Sequence, residues 1–278
     1  MEKRADSGVD VDVDVDADAD ADTDAGWKAR LGWAYGLIAD DPPVRDAALT
    51  SLAGARVRVG KALDRFNALL AAARYDYEVP GVREAFAEYQ RAARYVLPEA
   101  LWNRRANIES WPGLPYALLF LEWEARYPED WTVHAKRWGT KQRLIRDLAV
   151  AEHSAPVRAK LTELVEIVVR RPYRCKDRDY VRVARAVDSP GLRAGLTAAA
   201  RSGDPWAERH AGYVLRLLDH PELPNSLHVW RTWNAGGPAR RIPGRRGMTR
   251  DSRLPKRRLR ESRRRGWVWR VSRPARES

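Results

Sequence analysis

Within the span of one hairpin the chain opens two helices in succession, at Asp188-Ser189-Pro190-Gly191-Leu192-Arg193 and at Gly203-Asp204-Pro205-Trp206. In each opening a hydroxyl or carboxylate side chain can accept from the free N–H groups of a first helical turn. A proline then takes the first helical position, where its missing donor costs nothing. Leu192 and Leu196, then Val214 and Leu218, follow at helical spacing, which leaves Arg193, Glu208 and Arg209 for the solvent side. Two helices joined by so short a link must fold back on each other, so this stretch reads as a helical hairpin.

The rest of the chain uses the same grammar, and no convincing run of strands interrupts it. Trp27 to Ala39 puts Leu31, Tyr35 and Ile38 on one helical face. After Asp40-Asp41-Pro42-Pro43, a stripe of Val44, Ala48, Leu49 and Leu52 continues past a weak break near Gly54 into Val59, Leu63, Phe66, Leu69 and Leu70. Pro80 opens the next helix, with Phe86, Tyr89 and Ala93 facing inward. Residues 97 to 139 gather Trp102, Trp111, Trp123, Trp131 and Trp138 around a helix from about Leu114 to Arg126. Thr140 is expected to cap a helix with Leu144, Ile145, Leu148 and Ala149 inward, and Pro156 begins another over Val157, Leu161, Leu164, Val165 and Val168. Further helices are expected at about Asp177 to Val187, Pro190 to Arg201, Pro205 to Leu218 and Asn225 to Trp233.

The opening recurs as Pro42-Pro43-Val44-Arg45, Pro80-Gly81-Val82-Arg83, Ala155-Pro156-Val157-Arg158 and Pro190-Gly191-Leu192-Arg193, with a degraded copy at Pro112-Gly113-Leu114-Pro115. Taking Val44, Val82, Leu114, Val157 and Leu192 as register marks, the steps are 38, 32, 43 and 35 residues. This resembles the HEAT-like α-solenoid repeat proteins, in which paired helices stack into a curved array. The resemblance implies an all-α, irregular HEAT-like array of antiparallel helix pairs over residues 27–233. The alternative is a bundle of unrelated helices in which Pro-x-Val-Arg is simply a good helix start.

Charge separates two tails from this middle. Residues 1–26 hold ten acids against two bases, a net −8, and Val9 to Asp24 alternates Val, Ala or Thr with Asp eight times. A strand of that pattern would line its carboxylates along one face without partners, so a disordered, solvated tail is expected. A calcium loop would need ligand offsets and a turn glycine that are absent. Residues 234–278 hold sixteen bases against three acids, a net +13, which leaves +8 for the helical part out of a total of +13. That tail is also expected to be disordered. The helical pattern stops at Trp233 and mainly Arg, Gly and Pro follow, a change that a shifted reading frame would also produce.

Cys175 is the single cysteine, so no intramolecular disulfide forms, and a reducing compartment is favoured. No apolar run follows Met1-Glu2-Lys3-Arg4, and Leu114 to Leu121 is shorter than the roughly 20 residues of a membrane span. A cytoplasmic protein without a transmembrane segment is expected.

Motifs with chemistry in them are scarce. No Gly-rich phosphate loop follows a strand, and His134, His153, His210, His220 and His228 never stand at i, i+4 around a Glu, so no cofactor and no metal is expected. Glu122 and Glu124 flank Trp123, but residues two apart point to different sides of a helix. His210 reads as a packed core histidine. The densest charged loop is Arg170-Arg171-Pro172-Tyr173-Arg174-Cys175-Lys176-Asp177-Arg178, and Arg170, Arg171, Arg174, Lys176 and Arg178 are the candidate binding surface.

The Trp-rich section resembles the HEAT-like DNA glycosylases, which hold damaged duplex on a concave, basic, Trp-bearing face. That resemblance implies stacking by Trp111, Trp123, Trp131 or Trp138 and phosphate contacts from Arg137, Lys141 and Arg143. It also requires a carboxylate beside those rings, which spacing does not assign. In the C-terminal tail, Arg257, Arg258, Arg264 and Arg265 with Trp267 and Trp269 pair cations with stacking rings, which suits nucleic acid or an anionic lipid surface. The expected function is a non-catalytic interaction scaffold whose partner is another protein. Nucleic-acid binding, possible through the basic tail, is the alternative.

Overall fold

The computed structural model describes residues 22–236 apart from 103, 105, 106 and 151, and within them every regular element is helical. The chain runs α1 (Asp24–Leu31), a 3₁₀ helix (Gly32–Ile38), α2 (Pro42–Ala72), α3 (Pro80–Ala93), short 3₁₀ turns at Glu99–Leu101 and Ile108–Ser110, α4 (Leu114–Arg126), α5 (Pro128–His134) and α6 (Trp138–Leu148). It continues through α7 (Ala155–Val169), a 3₁₀ turn (Asp177–Asp179), α8 (Tyr180–Ala186), α9 (Pro190–Ala200), α10 (Pro205–Asp219) and α11 (Leu227–Gly236). The all-α expectation holds. No helix among the described residues is long and apolar enough to cross a membrane.

Local signals work where they are strong. Ser189 accepts from the Leu192 N–H, and Asp204 accepts from the N–H groups of Trp206 and Ala207, so both caps of the α9–α10 hairpin form as read. All five recurring openings start helices: α2, α3, α4, α7 and α9. Their register marks do not share one environment, however. Val82, Leu114 and Leu192 are buried, while Val44 is 47% exposed.

Elsewhere the boundaries move for identifiable reasons. The first helix starts at Asp24, ahead of Trp27, because Thr23 accepts from the Gly26 N–H and Asp24 meets the positive end of the first turn. The last unit of the acidic repeat is therefore a cap. Tyr35, expected inside, is 47% exposed. Residues 32–38 wind as a 3₁₀ helix with three residues per turn, so the inner face is Leu31, Ala34 and Leu37, all without solvent contact. No break occurs at Gly54. α2 runs through it, since an interior glycine costs about 1 kcal/mol, and each of Leu52, Val59 and Phe66 returns roughly 1.5–3 kcal/mol on burial. Thr140 lies inside the first turn of α6, not ahead of it, and its hydroxyl accepts from Trp102 Nε1–H at 2.9 Å.

The apolar run Leu114–Leu121 becomes the centre of the core. α4 has eleven of its thirteen residues buried, packed against the first 3₁₀ helix, α5 and α7. A helix apolar all round must be enclosed all round. It draws contacts from the start of the chain and from the middle, so its packing reaches beyond sequence neighbours. α2 and α3 pair as a long hairpin whose far end carries a small separate cluster of Phe66, Leu70, Val82 and Ala85. On the other side of α4, α7 packs on α8, α9 and α10, and α11 rests on α10.

Candidate functional site

α4 buries two carboxylates, and as their spacing requires they leave the helix on different sides. Glu122 is clasped by Arg126 Nε and Lys160 Nζ, both at 2.8 Å. Glu124, with no solvent contact, meets Lys141 Nζ at 2.9 Å, Arg171 Nη2 at 3.0 Å and Arg174 Nε at 3.5 Å.

The same cations converge on Asp177. Lys141 Nζ lies 2.6 Å from its carboxylate and Arg171 Nη1 2.8 Å, while the Arg174 backbone N–H donates to it at 2.6 Å. The turn that presents Asp177 is reversed at Lys176, which sits in the left-handed region at φ 71. Beside the cluster, Gln142 donates to Asp179 at 2.7 Å. Burial disfavours the Arg171 charge, but Asp177 and Glu124 together outweigh it and raise the guanidinium pKa. Three cations and two anions thus join α4, α6 and the 170–179 turn in a water-poor clamp.

This clamp redefines the candidate binding surface. Arg171 and Arg174 turn inward, with side chains only 11% and 18% exposed, and Arg174 also donates to Thr132 and to the Pro128 carbonyl. Arg170 holds Glu166 at 3.2 Å and reaches the Gly195 carbonyl. Lys176 and Arg178 stay half-buried at the rim, and the Cys175 thiol is exposed.

The nucleic-acid candidates fare unevenly. Lys141 is fully buried in its ion pairs, so its assignment as a phosphate contact is corrected: the ammonium is enclosed by Glu124 and Asp177. Arg137 is exposed and tied to Glu99 at 3.3 Å, and Arg143 donates to the Leu101 carbonyl at 3.1 Å. Trp123 and Trp131 have no exposure and Trp111 has 6%, so they pack between helices and do not offer the stacking faces that the glycosylase resemblance implies. Their faces are used internally: Trp111 meets Trp27 edge-on at 5.3 Å, and Trp131 meets Trp138 at 4.7 Å. Trp138 is half-buried, with Lys141 and Arg174 at 5.5 and 5.9 Å from its ring centre. Arg257, Arg258, Arg264, Arg265, Trp267 and Trp269 lie outside the described residues.

A second feature, adjoining the clamp through Asp177, was not assembled from the sequence. Between the 170–179 turn, α8, α10 and α11 lies a small pocket whose enclosed part measures about 20 Å³, room for one water-sized body. Tyr173 stacks on Trp230 at 5.0 Å, and Tyr213 meets Trp230 edge-on at 4.7 Å. His210 and Tyr180 are among the residues that line the pocket, and His210 Nε2 and the Tyr180 hydroxyl are both buried without a hydrogen-bond partner.

Burial holds the imidazole neutral, with its pKa pushed down to about 4, and pushes the Tyr213 phenol up to about 12. It raises Tyr180 well above the usual phenol range as well. At the edge Trp206 is 37% exposed, with the Arg209 guanidinium 6.0 Å from its ring. The sequence marked His210 as an inward residue, but Tyr173, Tyr180 and Trp230 come from separate elements and shared no local pattern.

Chemically, the two features differ. The clamp's carboxylates are each held by at least two cations, so their oxygens are committed to ion pairs. The pocket offers a neutral imidazole and an un-ionised phenol among rings. Among the described residues no three His, Cys, Asp or Glu side chains are grouped to hold a metal. No family model, no curated protein and no solved structure matches this chain.

Proposed function

We propose that the chain is a non-catalytic interaction scaffold whose partner is another protein, docked on the face formed by the 170–179 turn, α10 and α11. The observation that carries this reading is the contrast between clamp and face. Glu99, Glu122, Glu124 and Asp177 are each committed to two or more cations, a pattern of structural fixation. Trp206, Arg209, Tyr173 and Trp230 instead gather aromatic and cationic groups at an accessible edge, the composition that dominates protein-binding hot spots. A HEAT-like arrangement fits this reading, since the capped α9–α10 hairpin would hold such a face rigid.

The test is site-specific photocrosslinking of the full chain in its native host. A photoreactive residue replacing Trp206 is expected to trap one discrete protein adduct, and the same residue at Val133, 76% exposed on α5, is expected to trap none. Equal adducts at both positions would sink the reading. The nucleic-acid alternative now draws mainly on the tail, with Arg137 and Arg143 the exposed candidates of the folded part. Titrating DNA into the full chain and into its Arg257→Gln, Arg258→Gln, Arg264→Gln, Arg265→Gln variant at two salt concentrations separates the cases. Retention of salt-dependent binding in the variant would return DNA to the folded part.

A further inference from the structure

The pocket beneath α11 holds an unusual mixture. Its walls are mostly aliphatic and aromatic, with Asp177 and Arg178 beside them, and one of the lining rings is Trp230, between the face of Tyr173 and the edge of Tyr213. Its polar groups are not used by that ring. His210 is 5% exposed and Tyr180 2%, and neither Nε2 nor the phenol oxygen finds a partner. Leaving such groups unpaired is costly, and two of them on residues that line one small pocket point to an occupant that bonds to both.

Trp230 itself is half-buried, with its ring against Tyr173, Tyr213 and His210. α11 has no buried residue; its apolar contacts with the core come from Val229, Trp230 and Trp233, and Trp233 Nε1–H also donates to the Arg209 carbonyl at 3.1 Å, so the Trp230 indole can leave while Trp233 keeps the helix attached.

We propose that this pocket is a binding site for one hydroxylated aromatic side chain, a tyrosine of the partner protein, which replaces the Trp230 indole and places its hydroxyl between Tyr180 and His210. A tyrosine ring reproduces what Trp230 offers the walls. Its hydroxyl adds what Trp230 lacks, one donor and two acceptor positions to pair with a phenol and a neutral imidazole. As it stands, the enclosed 20 Å³ is too small for a ring, so departure of Trp230 is part of binding. α11 is then an internal competitor that keeps the site covered until a better ring arrives. This inference deepens the scaffold reading by naming the partner group the docking face takes.

The experiment measures binding of three probes by calorimetry to the full chain and to Trp230→Ala: p-cresol, toluene, and a short peptide with one central tyrosine. Removing the indole opens the site. Trp230→Ala is therefore expected to bind p-cresol and the peptide saturably, at least tenfold tighter than wild type, and p-cresol at least tenfold tighter than toluene. Adding Tyr180→Phe, which removes an unpartnered hydroxyl and leaves the walls intact, is expected to cut p-cresol affinity about tenfold and leave toluene unchanged. Equal affinities for p-cresol and toluene, or no saturable binding by a Trp230→Ala protein with wild-type circular dichroism, would overturn the site. Binding of p-cresol without the peptide would overturn the tyrosine assignment. These readouts need no partner, so the pocket can fail while crosslinking at Trp206 succeeds, and the reverse.

Discussion

Lys141 Nζ lies 2.6 Å from the Asp177 carboxylate with effectively no solvent on either side chain, and the pair shares Glu124 and Arg171 with the rest of the clamp. With Arg174 the clamp counts three cations and two buried anions, the exposed Glu129 meeting Arg174 from outside at 3.4 Å. Glu124→Gln leaves three against one, whereas Lys141→Met leaves two against two. Removing the anion is therefore expected to cost more, about 3–5 kcal/mol, than removing the cation, about 1–3 kcal/mol, because only the first strands buried charge. Urea unfolding of both variants reads the order directly. The reverse order would mean that the carboxylates, not the cations, are in excess where it matters.

The α2–α3 turn carries a different kind of strain. After α2, the Tyr75 N–H donates to the Leu70 carbonyl at 2.8 Å and the Arg74 N–H to the Ala71 carbonyl at 3.1 Å, the paired bonds of a Schellman stop. The left-handed position of that motif, usually glycine, is occupied by Arg74 at φ 52. Arg74→Gly relieves the Cβ clash at some entropic cost, and a net gain of about 0.5–1 kcal/mol is expected. A shift of the urea midpoint to lower concentration would contradict it.

What could be read in the sequence follows the range of the interaction. Ser189 and Asp204 cap helices three residues away, so their roles were legible in a short window. The all-α class was legible for the same reason. Lys141 and Asp177 lie 36 positions apart and Arg171 and Glu124 lie 47 apart, so a loop read as a basic surface proves to have its central arginines neutralised from below. One phase error had a local cause: Tyr35 leaves the inner face, and Leu37 lies on it, once the helix tightens to three residues per turn. Burial of Trp123 and Trp131 follows from α4 being enclosed, which no single helix pattern could reveal.

One glycine in the Trp-rich section is fixed by sterics, not by backbone freedom. A Cβ on Gly113 would stand 2.7 Å from the Trp27 ring and closer still to Trp111. Both rings are buried in the main core and cannot yield cheaply. Gly113→Ala is expected to destabilise by about 2–3 kcal/mol. Gly81→Ala, at the equivalent place in the recurring opening but with open space around it, is expected to change stability by less than about 0.5 kcal/mol. Thermal unfolding of the two side by side checks the contrast, and equal shifts would remove the steric account.

His210 sets a pH dependence whose sign is fixed by its environment. Burial lowers the folded pKa from 6.5 to about 4, so the unfolded chain takes up the proton first. The stability tied to the neutral ring is complete above the unfolded value and disappears as pH falls from about 6.5 to about 4. At pH 5 the loss reaches about 2 kcal/mol relative to pH 7, at 1.36 kcal/mol per pKa unit. Asp177 and Asp204 favour the charged ring, and Arg171 and Arg209 oppose it, without displacing burial as the dominant cause. His210→Phe keeps a ring against Tyr173 and Trp230 and removes the titration. Urea unfolding at pH 7, 6 and 5 is expected to show the variant's stability falling about 2 kcal/mol less than wild type over that range. Parallel curves would mean that the folded ring takes up its proton over the same pH range as the unfolded chain, so that burial does not hold the imidazole neutral.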